Sequence, residues 1–189
     1  MSCPKGALAS FVTHQAKRLI GNIEGRLKQM TKFKDLSAEK LSYLAGFLDG
    51  DGSINAQIVR RVDYRLGFQI RVSITLFQSS KRHWFLITLQ NQFLVCGTLR
   101  FRNDGISELA LVGVQTVKPF LECLQPYILI KKRQAEIVLE LCNKLSKNQS
   151  PEEFIQLCKK VDLLESINDS KKKSIRAVDV ENYLAGQNN

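Results

Sequence analysis

From Leu66 to Leu76 every even position is apolar (Leu66, Phe68, Ile70, Val72, Ile74, Leu76), while the odd positions carry Gly67, Gln69, Arg71, Ser73 and Thr75. Alternation of period two predicts a strand with one buried and one polar face. An earlier strand is predicted from Ser53 to Arg60, joined to this one by a polar connection around Arg61–Arg65. Gly97–Arg102 and Ser107–Val112 read as a hairpin, because Asn103-Asp104-Gly105 between them is a strong turn signal. Helical spacing takes over elsewhere. Ser37 offers an N-cap with Glu39 in the first turn, and Leu41, Leu44, Ala45 and Leu48 carry a helix to a stop at Asp49-Gly50-Asp51-Gly52. Lys81–Leu94 is predicted as one helix with Trp84, Leu86 and Leu89 available for the core. Further helices are expected near Val114–Leu124, from Ile130 to Leu145, and from Pro151 at a first helical position to about Glu165. A basic loop at Lys171–Lys173 precedes a short terminal helix.

The order of elements is αββαββα, followed by helices. This predicts an α+β fold in which a four-stranded, mostly antiparallel sheet carries its helices on one face. The opposite face would display Asn55, Gln57, Gln69, Arg71, Ser73, Thr75, Arg100, Arg102 and Glu108. Amides and guanidinium groups are the side chains that make paired contacts with adenine and guanine edges, and two-stranded ribbons enter the major groove. An ordinary solvated sheet face is the alternative for any single strand. It loses ground when several strands and the overall charge agree.

Charge changes the picture most. Lys and Arg number 28 against 18 Asp and Glu, a net charge of +10 with pI ≈ 9.5, which favours a polyanionic partner. Residues 1–36 hold seven of the basic residues and two of the acidic ones. They form a basic N-terminal extension with helical spacing at Leu19, Ile20, Ile23, Leu27 and Met30, set before a domain at 37–189. Hydrophobic residues make up 44% of 189, enough for one real core. No apolar run is long enough to span a bilayer. The five cysteines are scattered and never form a C-x-x-C pair, and there are only two histidines. These features argue against a disulfide framework and against a zinc or His-based site. Any metal would be held by oxygen ligands, as hard ions such as Mg²⁺ prefer.

The candidate chemistry sits at Leu44–Gly52, where an apolar helix runs into two carboxylates separated by one glycine. An EF-hand loop contains a similar acidic string. Its first and twelfth positions would here be Phe47 and Ile58, neither of which supplies a ligand. Gly46 within a helix costs about 1 kcal/mol against Ala, which a close helix–helix approach would offset.

Leu-Ala-Gly-Phe-Leu-Asp-Gly-Asp-Gly resembles the signature of the LAGLIDADG homing endonucleases, with Phe47, Leu48 and Gly50 as departures from that name. Gln78 at the end of the second strand, Arg82 and Trp84 in the next helix, Leu-Gln-Pro-Tyr at 124–127, and Lys131 are similar to the single-motif, homodimeric branch of organellar group I introns. The resemblance covers roughly residues 37–175 and leaves residues 1–36 unexplained. One departure is a residue more between Gln92 and Gly97 than is expected of relatives of this type.

The resemblance implies a saddle-like sheet and a homodimer, because one motif copy needs a second subunit. Leu44, Ala45, Gly46 and Leu48 are the expected interface. It also implies Mg²⁺-dependent phosphodiester hydrolysis on double-stranded DNA, with two or more divalent ions per dimer and Mn²⁺ as a substitute. Asp51 and the Gly50 carbonyl would be metal ligands, and Asp49 a structural cap. Gln78, Arg82 and Lys131 would surround the reacting phosphate. Arg61, Asp63 and Tyr64 would reach outer base pairs, while Ser170, Lys171 and Lys173 would rest on phosphates. Cuts leaving short 3′ overhangs in a pseudo-palindrome of roughly 20 bp would promote intron mobility. The expected location is organellar, chloroplast ahead of mitochondrion. No membrane or small-molecule partner is expected. An RNA-binding maturase of the same fold is the alternative function, and a non-cleaving DNA-binding protein a third.

Overall fold

A computed structural model describes residues 33, 35–94, 96–168 and 175–187. Helix α1 (Ala38–Asp51) runs directly into strand β1 (Gly52–Arg60), which a polar turn joins to the longer β2 (Phe68–Ser79). Helix α2 (His83–Leu89), strands β3 (Thr98–Phe101) and β4 (Ile106–Val112), and helices α3 (Val114–Leu124), α4 (Lys132–Lys144), α5 (Pro151–Ile167) and α6 (Ala177–Gln187) follow. The sheet order is β1-β2-β4-β3, and every described pairing is antiparallel.

The alternation read from the sequence is realised in β2. Phe68, Ile70, Val72, Ile74 and Leu76 are buried beneath the helices, together with Ile54, Ala56 and Ile58 of β1 and Leu109 and Leu111 of β4. The registers place Gln57 opposite Arg71, Asn55 opposite Ser73, and Arg100 opposite Glu108. The expected polar set therefore shares the face turned away from the helices. At the β3–β4 turn Gly105 has φ +79°, a left-handed conformation that disfavours other residues. Ile106 N–H donates to the Asp104 carboxylate at 3.2 Å. Helix α5 begins with Pro151 behind a full capping box between Ser150 and Glu153.

Four expectations need correction. Ser37 precedes α1, but its hydroxyl makes no backbone cap. It donates instead to Glu39 and holds that carboxyl below its ordinary value. The single helix expected over 81–94 is broken. A 3₁₀ turn (Ser80–Arg82) leads into α2, and Gln90–Leu94 winds as a π-turn. A π-turn is the form in which a helix takes in an extra residue. Trp84 does not enter the core; it is 64% exposed and sits edge-on to Phe85, ring centroids 6.0 Å apart. Finally, the domain core begins before residue 37: Phe33 is buried with its ring 5.4 Å from Phe120. Residues 1–32 lie outside the described residues.

The cysteines behave as small apolar groups. Cys96, Cys142 and Cys158 are buried, and burial pushes their thiols up to about 11, about 11 and about 12. Among the described residues no helix is long and apolar enough to cross a membrane.

Candidate active site and nucleic-acid interface

Helix α1 ends where the sheet begins. Gly52 opens β1 opposite Leu76, so β2 runs on past that point, and Gln78 lies at the same end of the sheet as Asp51. Gly52 must lack a side chain, because a Cβ there would lie 2.6–2.9 Å from Leu48 atoms. Its N–H closes the helix by donating to the Leu48 carbonyl.

The two motif carboxylates do different work. Asp49 accepts backbone N–H bonds from Leu129 (2.8 Å), Ile130 (3.1 Å) and Lys131 (2.9 Å), at the entry to α4. It thereby satisfies the backbone donors of the turn that leads into α4, including that of the N-cap residue Lys131. Partial burial tends to raise its pKa. The three N–H donors and the nearby Lys131 charge outweigh this and hold the carboxyl below its ordinary value. The Lys131 ammonium returns the contact by donating to the Asp49 backbone carbonyl. A cation at a helix C-terminus is favourable there. Asp51, two residues on, is exposed and has no hydrogen-bond partner among the described residues.

Gln78 and Arg82 form a second unit. The Gln78 side-chain oxygen accepts from Ser79 N–H and from the Arg82 guanidinium, both at 2.9 Å. Its carbonyl is thus spent, while the amide nitrogen has no acceptor among the described residues and can donate. The structure therefore gathers Asp51, Gln78 with Arg82, and Lys131 at one end of the sheet, with Asp49 as the strap that fixes Lys131.

On the open face the polar side chains hold one another. Arg71 donates to Gln57 at 3.2 Å. Arg61 chelates Asp63 at 2.9 and 2.8 Å and reaches Gln69 at 3.5 Å. Its guanidinium lies over Tyr64, 5.2 Å from the ring centroid, and lowers the Asp63 carboxyl below its ordinary value. Glu108 lies between Arg100 (3.8 Å) and Arg102 (3.9 Å), and Arg102 also pairs with Asp104 at 2.7 Å. Ser73 and Thr75 are half-buried between the rows. Ser170, Lys171 and Lys173 lie outside the described residues.

The expected interface residues are a correction. Leu44, Ala45 and Leu48 are fully buried in this chain's own core, because they form the inner apolar face of α1. Only Gly46 lies on the other side, where a Cβ would meet nothing within 4 Å. Tyr43, Phe47 and Gly50 share that outer stripe at helical spacing. Around it Phe47 packs edge-on to Phe85, Tyr43 lies near Phe93, and Trp84, Leu129 (82%) and Ile130 (75%) are exposed. Two polar residues had no signal in sequence spacing. Ser53 and Asn168 bond Asn55, and Asn168 lies more than a hundred positions away.

Residues 44–142 match the LAGLIDADG endonuclease family. DNA endonuclease I-CvuI of Chlorella vulgaris is 44% identical over 156 residues, covering 82% of this chain and 95% of that protein. DNA endonuclease I-CreI of Chlamydomonas reinhardtii is 38% identical over 146 residues, covering 74% of this chain and 88% of that one. The crystal structure of I-CvuI with the I-CreI target in 2 mM Mg, in which the DNA is not cleaved, aligns with TM-score 0.74 at 42% identity. That alignment covers 79% of this chain and 95% of the other. I-CvuI has also been solved with its own target in 2 mM Ca. With its motif, its fold and these relatives in agreement, the chain belongs to the LAGLIDADG endonuclease family.

Proposed function

We propose that this protein is a site-specific homing endonuclease that acts as a homodimer on double-stranded DNA. It would cut both strands of a pseudo-palindrome of roughly 20 bp, leave short 3′ overhangs, and so promote intron mobility. The observation that carries the reading is Asp51: an exposed carboxylate, unpartnered among the described residues, at the junction of α1 and β1, beside a sheet face of amides and arginines. A protein that only bound DNA would gain nothing from a bare carboxylate facing a phosphate backbone. β2, at 12 residues, spans roughly 40 Å, a little more than one turn of B-DNA.

The donor set suits a hard cation. Among the described residues no three metal-ligating side chains cluster, so one chain offers Asp51 and the Gly50 carbonyl in the last helical turn. Mg²⁺ is content with one or two carboxylates, the remaining positions going to phosphate oxygens and water. When bound, divalent ions would polarise the scissile phosphate and neutralise two Asp51 side chains facing each other across a dimer axis. We assign two or more ions to each dimer, with Mn²⁺ as a substitute. The free Gln78 amide would orient the solvent beside the phosphate. Arg82 and Lys131 would balance the charge that grows on it, Lys131 from a position fixed by Asp49. The dimer would form through the outer stripe of α1, with Gly46 and Gly50 permitting close approach and Trp84, Leu129 and Ile130 buried by the partner. Bases would be read by Asn55, Gln57, Gln69, Arg71, Ser73, Thr75, Arg100, Arg102 and Glu108, and outer pairs by Arg61, Asp63 and Tyr64. Ser170, Lys171 and Lys173 would contact phosphates. The basic residues that precede the buried Phe33 would be an appendage to the endonuclease domain, and the location organellar, with chloroplast favoured by two algal relatives.

The test is cleavage of a library of randomised pseudo-palindromic duplexes with Mg²⁺, beside Asp51→Asn and a Ca²⁺ control. Double-strand cuts at one enriched site, absent in Asp51→Asn, are expected. Selective binding without cutting under any metal would leave a DNA-binding protein. No selection of DNA at all would favour the RNA maturase.

A further inference from the structure

A chain of forced hydrogen-bond orientations runs from the backbone of β1 to Asn55. β1 is an edge strand, and the Ile54 carbonyl accepts a bond from Asn168 Nδ2 at 2.9 Å. Asn168 follows the last turn of α5, and its own N–H donates to the Leu164 carbonyl, so its backbone is fixed. The second hydrogen of the same nitrogen goes to Asn55 Oδ1 at 2.8 Å. A carbonyl can only accept, so Asn168 cannot turn its amide over without setting oxygen against oxygen at both partners. That orientation in turn fixes Asn55: its oxygen must face Asn168, and its nitrogen faces Ser53 Oγ, to which it donates at 2.8 Å.

The amide of Asn55 has two acceptor and two donor positions, and one of each is now spent. Among the described residues one acceptor and one donor remain, on a half-buried side chain of the open sheet face. Adenine presents the complementary pair in the major groove, an N7 acceptor beside an N6 amino donor. An unfixed Asn on a solvated face turns over freely and presents its donor and acceptor in either order. A fixed one presents them in a single order. We infer that Asn168 is a positioning residue which locks the amide of Asn55 and makes Asn55 a selective reader of adenine at one base pair of each half-site. This rests on the proposed reading of DNA by the sheet face, and it adds a determinant that touches no base itself.

The experiment varies each position of the selected duplex through all four base pairs, one at a time, and measures relative cleavage. The proteins are the native chain, Asn55→Ala, Asn168→Ala, the isosteric Asn168→Asp, which keeps the packing but loses both donated bonds, and the Asn55→Ala/Asn168→Ala double variant. Unfolding midpoints are recorded for all five. The native protein is expected to prefer adenine at one position per half-site. All four variants are expected to lose about tenfold of that preference there and nowhere else, and the double variant to match Asn55→Ala alone. The inference is overturned if both Asn168 variants keep the native preference at the position that Asn55→Ala flattens. It is overturned equally if they lower cleavage uniformly at every position, or if Asn55→Ala flattens none. If the native protein selects no duplex, the proposed nuclease reading falls first and takes this inference with it.

Discussion

The end of α1 and the open face of the sheet are both polar, yet they are built on opposite principles. At the helix end every group but Asp51 is committed among the described residues: Asp49 to three backbone N–H groups, Lys131 to a backbone carbonyl, the Gln78 oxygen to a backbone N–H and to Arg82. Backbone partners cannot move away, so the geometry is set before any ligand arrives. On the sheet face most partners are other exposed side chains, as in Arg71 with Gln57 or Arg61 with Asp63. Exposed pairings of that kind contribute little and are readily exchanged for another partner. Under the proposed function, the contrast would give a rigid end for the reaction and a largely exchangeable face for reading, with the Asn55 amide as its fixed exception.

The largest effect that sharpens this contrast lies at the rigid end. Asp51→Asn is expected to cut cleavage by roughly a thousandfold or more while DNA binding survives. Dimers mixed from one native and one Asp51→Asn subunit should nick one strand only, which a supercoiled-plasmid assay separates from double-strand cutting. Next comes the outer stripe of α1. Gly46→Leu should fold normally, because there is open space at its Cβ, and Leu is the better helix former by up to about 1 kcal/mol. Self-association should nevertheless weaken by an order of magnitude or more in sedimentation experiments, since the side chain would intrude on a close helix contact.

A smaller effect concerns pH. The Asp49 carboxyl is held below its ordinary value in the folded chain. It therefore contributes stability at pH above the unfolded carboxylate value of about 3.9, and that contribution is lost as pH falls through the lower folded value. Chemical denaturation should show an acid limb that is shallower in Asp49→Asn. The smallest effect belongs to the exchangeable face. Arg71→Ala should leave the unfolding free energy within about 0.5 kcal/mol of native. It should relax the preference at one or two base pairs by about 1–3 kcal/mol in a cleavage profile.

Local patterns were legible in the sequence where the physics is local. Strict alternation at 66–76 gave β2 and assigned its two faces, and Asn103-Asp104-Gly105 gave the hairpin. Where the deciding partner is distant, the pattern ran out. The 3.6-residue period of α1 showed an apolar face at Leu44, Ala45 and Leu48, but periodicity does not say whether such a face meets the chain's own sheet or another subunit. Here it meets the core, and the stripe with Tyr43 and Gly46 is left outside. Trp84 departs from its expected place for the same reason, since apolarity alone does not distinguish a core residue from an exposed one. The roles of Asp49 and Asn168 depend on groups about 80 and more than a hundred residues away, brought close only by the finished fold. For Asp49 the motif still hinted at a cap. For Asn168, an asparagine at the end of a helix is common for local reasons, so nothing marked it out.

The central claim is a division of labour between two carboxylates separated by one glycine, and one paired measurement tests it. Unfolding free energy and Mg²⁺-dependent cleavage of the selected duplex would be determined on the same preparations of Asp49→Ala and Asp51→Ala. Asp51→Ala should keep native stability within about 0.5 kcal/mol and lose cleavage. Asp49→Ala should lose about 1–2 kcal/mol of stability, as for a lost helix cap, with cleavage impaired through a displaced Lys131. An Asp51→Ala protein that still cuts, or an Asp49→Ala protein as stable as the native chain, would contradict the account.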